Sequence, residues 1–217
     1  MDDQTPKPRR SFLFYGCLAG LVLMLMVVFG GLFGLYYAKK MFRDFTDTQP
    51  MALPQVQMSR AQIDQLEHRI ETFRQTVRNG KPTPPLILTS DEINALIAND
   101  PDFGALKGKL YVTMSGDSVK GQLSVPMDSV GLPLFKGRYL NGTGTFNVSL
   151  HNGRIRLSTM SFEVKGKPVP EVYMEQIRKH NLAEGINSEP RAAAALDRLQ
   201  DIKIQDGKLV VIPKEKQ

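Results

Sequence analysis

The hydrophobic pattern changes period along the chain, and each change predicts a different element. Ser11 to Ala38 (SFLFYGCLAGLVLMLMVVFGGLFGLYYA) carries no charged residue. About 20 apolar residues in a helix cross the hydrocarbon core of a bilayer, so this run predicts one transmembrane helix from about Phe12 to Tyr37. Phe12, Phe14 and Tyr15 mark one edge and Phe33, Tyr36 and Tyr37 the other, where interfacial aromatics sit. A cleaved signal peptide has an apolar region of about 7–15 residues and a small-residue cleavage site. This run is longer, and Tyr36-Tyr37-Ala38-Lys39 makes a poor site. Cys17 follows too few apolar residues to start a lipoprotein.

Residues 44–58 hold two prolines and little pattern, and read with 39–58 as a juxtamembrane linker. From Ser59 the apolar positions recur at three and four: Ile63, Leu66, Ile70, Phe73 and Val77. Ser59 and Gln62 have capping-box spacing, and Asn79-Gly80 closes the helix. Extended back to Val56, the stripe has β-branched residues at heptad position a, with Leu66 and Phe73 at d. That is too short for a coiled coil in its own right, so the helix is expected to lie on the domain. Leu86-Ile87-Leu88 predicts a short strand that Pro85 confines to an edge. Thr89 and Glu92 form a second capping box, opening a helix to Asn99 with Ile93, Leu96 and Ile97 on one face.

Beyond Lys109 the period becomes two. Leu110, Val112 and Met114 alternate with polar positions, and Gly116-Asp117 turns the chain so that Met114 meets Val119 and Leu110 meets Leu123. Asn152-Gly153 predicts a second hairpin, with Leu150 opposite Ile155 and Val148 opposite Leu157. The phase then slips, which predicts a bulge near Ser158-Thr159 that sets Phe146 opposite Met160 and Gly144 opposite Phe162. Pro168-Val169-Pro170 starts a helix to about Leu182, with Val169, Val172, Tyr173 and Ile177 as its stripe, and an alanine-rich helix runs from Pro190 to Gln200. A third hairpin turns at Asp206-Gly207, with Ile204 facing Leu209 and Ile202 facing Val211. The expected fold class is α+β. A curved antiparallel sheet of tight hairpins carries helices on one face over residues 59–217, after a tail (1–10) and an anchor (11–38).

Charge sharpens the picture around the anchor. The chain has 28 Lys and Arg against 22 Asp and Glu, but residues 1–43 hold six bases and two acids, leaving 22 and 20 for the rest. The basicity is thus mostly juxtamembrane, where anionic headgroups favour it, and no basic stripe with interleaved aromatics points to nucleic acid. Lys and Arg number three on each side of the run, so the charge rule for orientation gives no answer. A short N-terminal tail in the cytoplasm and a translocated domain is the expected topology. The only cysteine lies in the anchor, which excludes a disulfide framework or a cysteine metal site in the domain.

Candidate chemistry is sparse. His68, His151 and His180 have no metal-ligand spacing, and no hydrolase, zinc-protease or nucleotide-loop motif occurs. Asp100 and Asp102 read as a helix-ending turn. The expectation is therefore a non-enzymatic protein with no catalytic residue, metal or cofactor. Two features remain. The connection from Pro126 to Leu140 is apolar, and Val130, Leu132, Leu134, Phe135, Tyr139 and Leu140 are its candidate ligand-binding residues. Gly16, Gly20, Gly30 and Gly34 have the small-residue spacing of helix contacts in membranes and are the candidate contacts of a parallel homodimer.

Three stretches also carry a resemblance. They are Leu88 to Ile97 (LTSDEINALI), Gly142 to Pro170, and the closing Asp201 to Leu209 (DIKIQDGKL). In pattern and order, residues 86–213 resemble YpmS-like anchored envelope proteins of bacteria and, more distantly, AsmA-like and tubular lipid-binding half-domains. That resemblance implies a curved sheet cradling a helix, with an apolar groove that holds lipid. The chain is too short for a two-halved lipid-transfer tube. The leading expectation is a membrane-anchored domain that binds a lipid or apolar ligand in the cell envelope. The alternative is a scaffold protein that uses the same domain against a protein partner.

Overall fold

The structure, a computed structural model, describes residues 10–131 and 133–215, with the backbone alone at 10–23, 38, 41 and 130. The chain divides into two compact units, Met1–Asp44 and Phe45–Gln217. Helix α1 (Arg10–Phe45) has 36 residues. At the α-helical rise this is about 54 Å, more than a bilayer's hydrocarbon core of about 30 Å. Its stretch Met24–Phe45 is long and apolar enough to cross a membrane, and none of that stretch is buried. The helix runs on through Lys39, Lys40 and Arg43 instead of stopping at the apolar edge. Lys and Arg are good helix formers, and a cation in the last turn complements the helix dipole.

The second unit is α+β with two antiparallel sheets in place of the one sheet expected. The larger has the order β2-β3-β4-β5-β6, from β2 (Leu110–Ser115), β3 (Ser118–Pro126), β4 (Tyr139–His151), β5 (Arg154–Val164) and β6 (Lys167–Pro168). The smaller joins β1 (Leu86–Leu88), β8 (Lys208–Pro213) and β7 (Leu199–Gln205), in that order. Met114 lies opposite Val119, Leu110 opposite Leu123, Leu150 opposite Ile155 and Ile204 opposite Leu209. These are the pairings the alternation predicts. Asn152-Gly153 and Asp206-Gly207 both have positive φ at each position, as type I′ turns require.

One predicted register is wrong by a residue. Phe146 lies opposite Thr159, not Met160, while Gly144 does face Phe162. The ladder therefore skips Met160, which points outward at 53% exposure, and Thr159 turns inward at 4%. Hydrophobicity alone favours burying the methionine, but the ladder that begins at the Asn152-Gly153 turn keeps its alternation as far as Thr159 and so turns that side chain in. Gly142 and Gly144 explain how the aromatic rings fit. A Cβ on Gly144 would lie 2.5 Å from Phe146 and 2.9 Å from Phe162, and one on Gly142 2.6 Å from Phe162. Both rings thus lie across bare backbone.

Helices border the sheets. α2 (Arg60–Arg78) and α3 (Ser90–Asn99) both start in complete capping boxes, on Ser59 with Gln62 and on Thr89 with Glu92. They cover the smaller sheet on the face of Leu86 and Leu88, where Leu66 and Ala95 are buried among Val56, Ile63, Ile70 and Phe73. The heptad-like stripe of α2 is thereby used inside the domain. A second cluster, Leu150, Leu196, Leu199 and Ile202, joins β7 to the far end of β4, and Phe73, Leu209 and Val211 pack against both clusters.

The remaining helices are α4 (Glu171–Lys179), α5 (Glu184–Ser188) and α6 (Pro190–Leu196). They are shorter than the two helices expected there, and chain between Leu196 and Gln200 already enters β7. The inward residue of α4 is Met174, 3% exposed, and Val172 and Tyr173 are outside. The helices do not all lie on one face of the larger sheet. α3 borders its β2 edge, and α4 and α5 border β5.

Asparagines bind these helices to the strand edges. Asn94 on α3, 2% exposed, donates to Val112 O (2.7 Å) and accepts from Val112 N–H (2.8 Å), as a neighbouring strand would. Ser90 Oγ accepts from Met114 N–H beside it. On β5, Asn187 and Asn181 together bond Ile155 N–H and O, and Asn181 also accepts from Leu157 N–H. An uncovered strand edge invites pairing with another chain, and a buried backbone group left unpaired costs about 1–3 kcal/mol.

Candidate functional site

The apolar connection after β3 folds into two tight turns. Met127–Val130 and Pro133–Phe135 are 3-10 helices, and Gly137 N–H donates to Asp128 Oδ1 (2.9 Å), drawing them together. Leu134 is 52% exposed, and Phe135, Tyr139 and Leu140 are half-buried. Leu132 and the Val130 side chain lie outside the described residues. Tyr139 and Leu140 are adjacent in β4 and so point to opposite faces of the sheet. The connection therefore does not bring the described candidates to a single wall. Gly30 and Gly34 lie on α1 with open space where a side chain would be, and at Gly16 and Gly20 only the helical backbone is described.

Residues 46–51, expected to be linker, are docked on the larger sheet. Asp47 and Tyr139 form a β-bridge. Asn141, 9% exposed, donates to Asp47 Oδ2 and Gln49 O and accepts from Met51 N–H and Ser124 Oγ, so its amide is fully used. Arg138 donates to Thr46 Oγ1 (2.6 Å) and Thr46 O (2.9 Å), and Lys165 pairs with Asp47 at 2.9 Å. Burial pushes the Asp47 carboxyl upward, but hydrogen bonds from Lys165 and Asn141 and the charges of Lys165 and Arg138 outweigh it. The group is held below the ordinary carboxylate range. This clasp consumes its polar groups on one another, so it reads as structure and not as a binding site.

A different site emerges between the start of β5 and the end of α4. Arg154, Arg156 and Ser158 alternate along β5 and so share one face, about 7 Å apart at each step. Arg178 and Lys179 end α4, where the helix dipole favours cations. With His151 and His180, these side chains line an open cleft of about 360 Å³, with no carboxylate among its described lining residues. Arg154 pairs with Glu184 at 2.7 Å, and Arg178 pairs with Glu171 and donates to Met160 O. Among the described residues, no acid pairs with Arg156 or Lys179.

Comparison with known proteins finds no matching family model, no matching curated protein and no matching solved structure. The cleft must therefore be read from its own chemistry.

Its described lining holds the cations of Arg154, Arg156, Arg178 and Lys179, the imidazoles of His151 and His180, and the hydroxyl of Ser158. Sequence reasoning treated His151 and His180 singly and missed the cleft. The available signals were Arg154-x-Arg156 on a strand and the run Arg178-Lys179-His180 at a helix end, but only packing brings the two together.

Proposed function

We propose that this protein is a single-pass membrane protein of the cell envelope, with a cytoplasmic N-terminus and a non-enzymatic extracytoplasmic domain that binds a lipid or apolar ligand. The observation that carries this reading is apolar surface outside the anchor. Met160, Val172, Tyr173, Leu182 and Ile186 are 44–72% exposed, Met160 on β5 and the others on the α4–α5 segment that borders it. Isolated exposed apolar residues are ordinary, but a concentration of them marks a binding surface. Leu134 and Phe135 add a smaller apolar contribution at the 126–140 connection. The resemblance of residues 86–213 in sequence pattern to YpmS-like and AsmA-like proteins points the same way.

The test is native mass spectrometry of residues 45–217, released from cells and offered a defined phospholipid. A retained or acquired lipid mass supports the reading, and a clean apo mass after exposure to lipid refutes it. Reporter fusions at both termini check the topology: an active periplasmic reporter at the N-terminus would reverse it.

A further inference from the structure

We propose that the basic cleft between β5 and α4 is a phosphate-binding site. The apolar surface of the preceding reading is not needed for it, and that reading bears only on where the phosphate comes from. The argument rests on charge. Residues 44–217 carry 22 bases and 20 acids, so an even surface would intersperse the two signs. Instead Arg154, Arg156, Arg178 and Lys179 gather at one cleft with His151 and His180, against two paired acids, Glu184 and Glu171.

The helix dipole accounts for cations at the end of α4, but not for two arginines projecting from β5 toward them. Glu184 and Glu171 compensate Arg154 and Arg178. Arg156 and Lys179 remain without an acid among the described residues, which leaves two positive charges. Asn181 is committed to the β5 edge through Ile155 O and Leu157 N–H and also accepts from Ala183 N–H, so the cleft wall is held by bonds that a ligand need not disturb.

Two uncompensated cations, ring N–H donors and the Ser158 hydroxyl match a group with about −1.5 to −2 charge and three acceptor oxygens, which is a phosphate monoester. Arginine offers it a two-toothed contact and lysine a point charge. A volume of about 360 Å³ also admits part of the esterified group. Met160, exposed and joined to Arg178 through its carbonyl, lies beside the cleft and would meet an apolar portion of the ligand. The phosphate belongs either to a lipid headgroup or to a soluble ester.

Calorimetry on the full chain in maltoside micelles separates these sources. The probes are glycerol 3-phosphate, dihexanoyl phosphatidic acid, and dihexanoylglycerol, which lacks phosphate. At least one phosphate probe should bind. R156Q/K179Q should weaken that binding about tenfold, since two charge-assisted contacts are lost, while K120Q/K208Q, with the same change in net charge elsewhere, should stay within about twofold.

Binding of glycerol 3-phosphate alone upholds the phosphate site while the lipid reading fails. Binding of phosphatidic acid but not glycerol 3-phosphate, with the loss in R156Q/K179Q, upholds the site and names the headgroup. Equal binding of phosphatidic acid and dihexanoylglycerol, unchanged in R156Q/K179Q, overturns the site and leaves the lipid reading standing. No binding of either phosphate probe, or an equal loss in K120Q/K208Q, overturns it as well.

Discussion

Replacing Asn94 tests whether helix-borne amides hold the sheet edge. Asn94→Ala removes the bonds to Val112 N–H and Val112 O, at 2.8 and 2.7 Å, and a third to Ser90 O. Val112 is 8% exposed, so two backbone groups are left buried without partners. Each such group costs about 1–3 kcal/mol, and the truncated side chain leaves a small void. Alanine's helix propensity returns a few tenths of a kcal/mol. The net loss should be roughly 2–5 kcal/mol, or roughly 5–15 °C in Tm for a domain of this size.

Asn94→Asp is a sharper probe. Its ionised carboxylate can still accept from Val112 N–H, but the second oxygen faces the carbonyls of Val112 and Ser90. Burial and those carbonyls raise the folded-state pKa above the unfolded value of about 3.9. The sign then follows: the proton-bound form is favoured on folding, so stability is greatest below pH ~3.9 and is lost as pH rises through the folded pKa. The N94D deficit relative to wild type should therefore grow from acid to neutral pH. Urea unfolding of residues 45–217 measures both variants. An N94A protein within about 0.5 kcal/mol of wild type, with Val112 amide exchange unchanged, would refute the stitching argument.

Other outcomes follow from the same geometry. Gly144→Ala places a methyl group against Phe146 and Phe162 and should cost about 1–3 kcal/mol in urea unfolding. Thr159→Val should stabilise by about 1 kcal/mol, because its buried hydroxyl has no partner among the described residues; a loss of stability would show that the hydroxyl is bonded. Asn187→Ala uncovers Ile155 N–H and should accelerate its amide exchange at least tenfold. Asp47 has a depressed carboxyl, so its contribution is present above the unfolded pKa of about 3.9 and fades as pH falls through the lower folded value. Once corrected for intrinsic exchange, the protection of the Asp47 and Met51 amides should therefore be lower at pH 3 than at pH 6, and Asp47→Asn should abolish that difference.

Local chemistry was legible in the sequence. The capping boxes at Ser59 and Thr89 and the Asn-Gly and Asp-Gly turns each decide structure within a few residues, and the structure has them where the pattern puts them. What could not be read depended on distant neighbours. Thr159 and Met160 exchange places because the hairpin ladder sets the phase against hydrophobicity. Val172 and Tyr173 form a plausible stripe, yet a helix of nine residues needs only Met174 to reach the sheet. Residues 46–51 look like linker because their partners, Ser124, Arg138, Tyr139 and Asn141, lie far along the chain. The division into two sheets follows from β1 pairing with β8 and not with β2, and nothing near Leu86 announces it. The basic cleft was invisible for the same reason: its two halves are at least 20 residues apart, from Ser158 to Arg178.

The pairing of β1 with β8 also constrains how the molecule is made. Leu86 to Leu88 must wait for Leu209 to Val211, more than a hundred residues later, before their backbone groups can pair. Such long-range closure is slow, and synthesis runs at about 5–20 residues per second. For several seconds the nascent chain holds α2 and α3 with the apolar faces they will later press on the smaller sheet still uncovered. The apolar helix at the start is complete well before this, so the membrane step and the folding step are ordered in time. A ribosome stalled before residue 208 should therefore display a protease-sensitive segment at 60–99, and one stalled on a C-terminal linker long enough to carry residue 213 out of the exit tunnel should not.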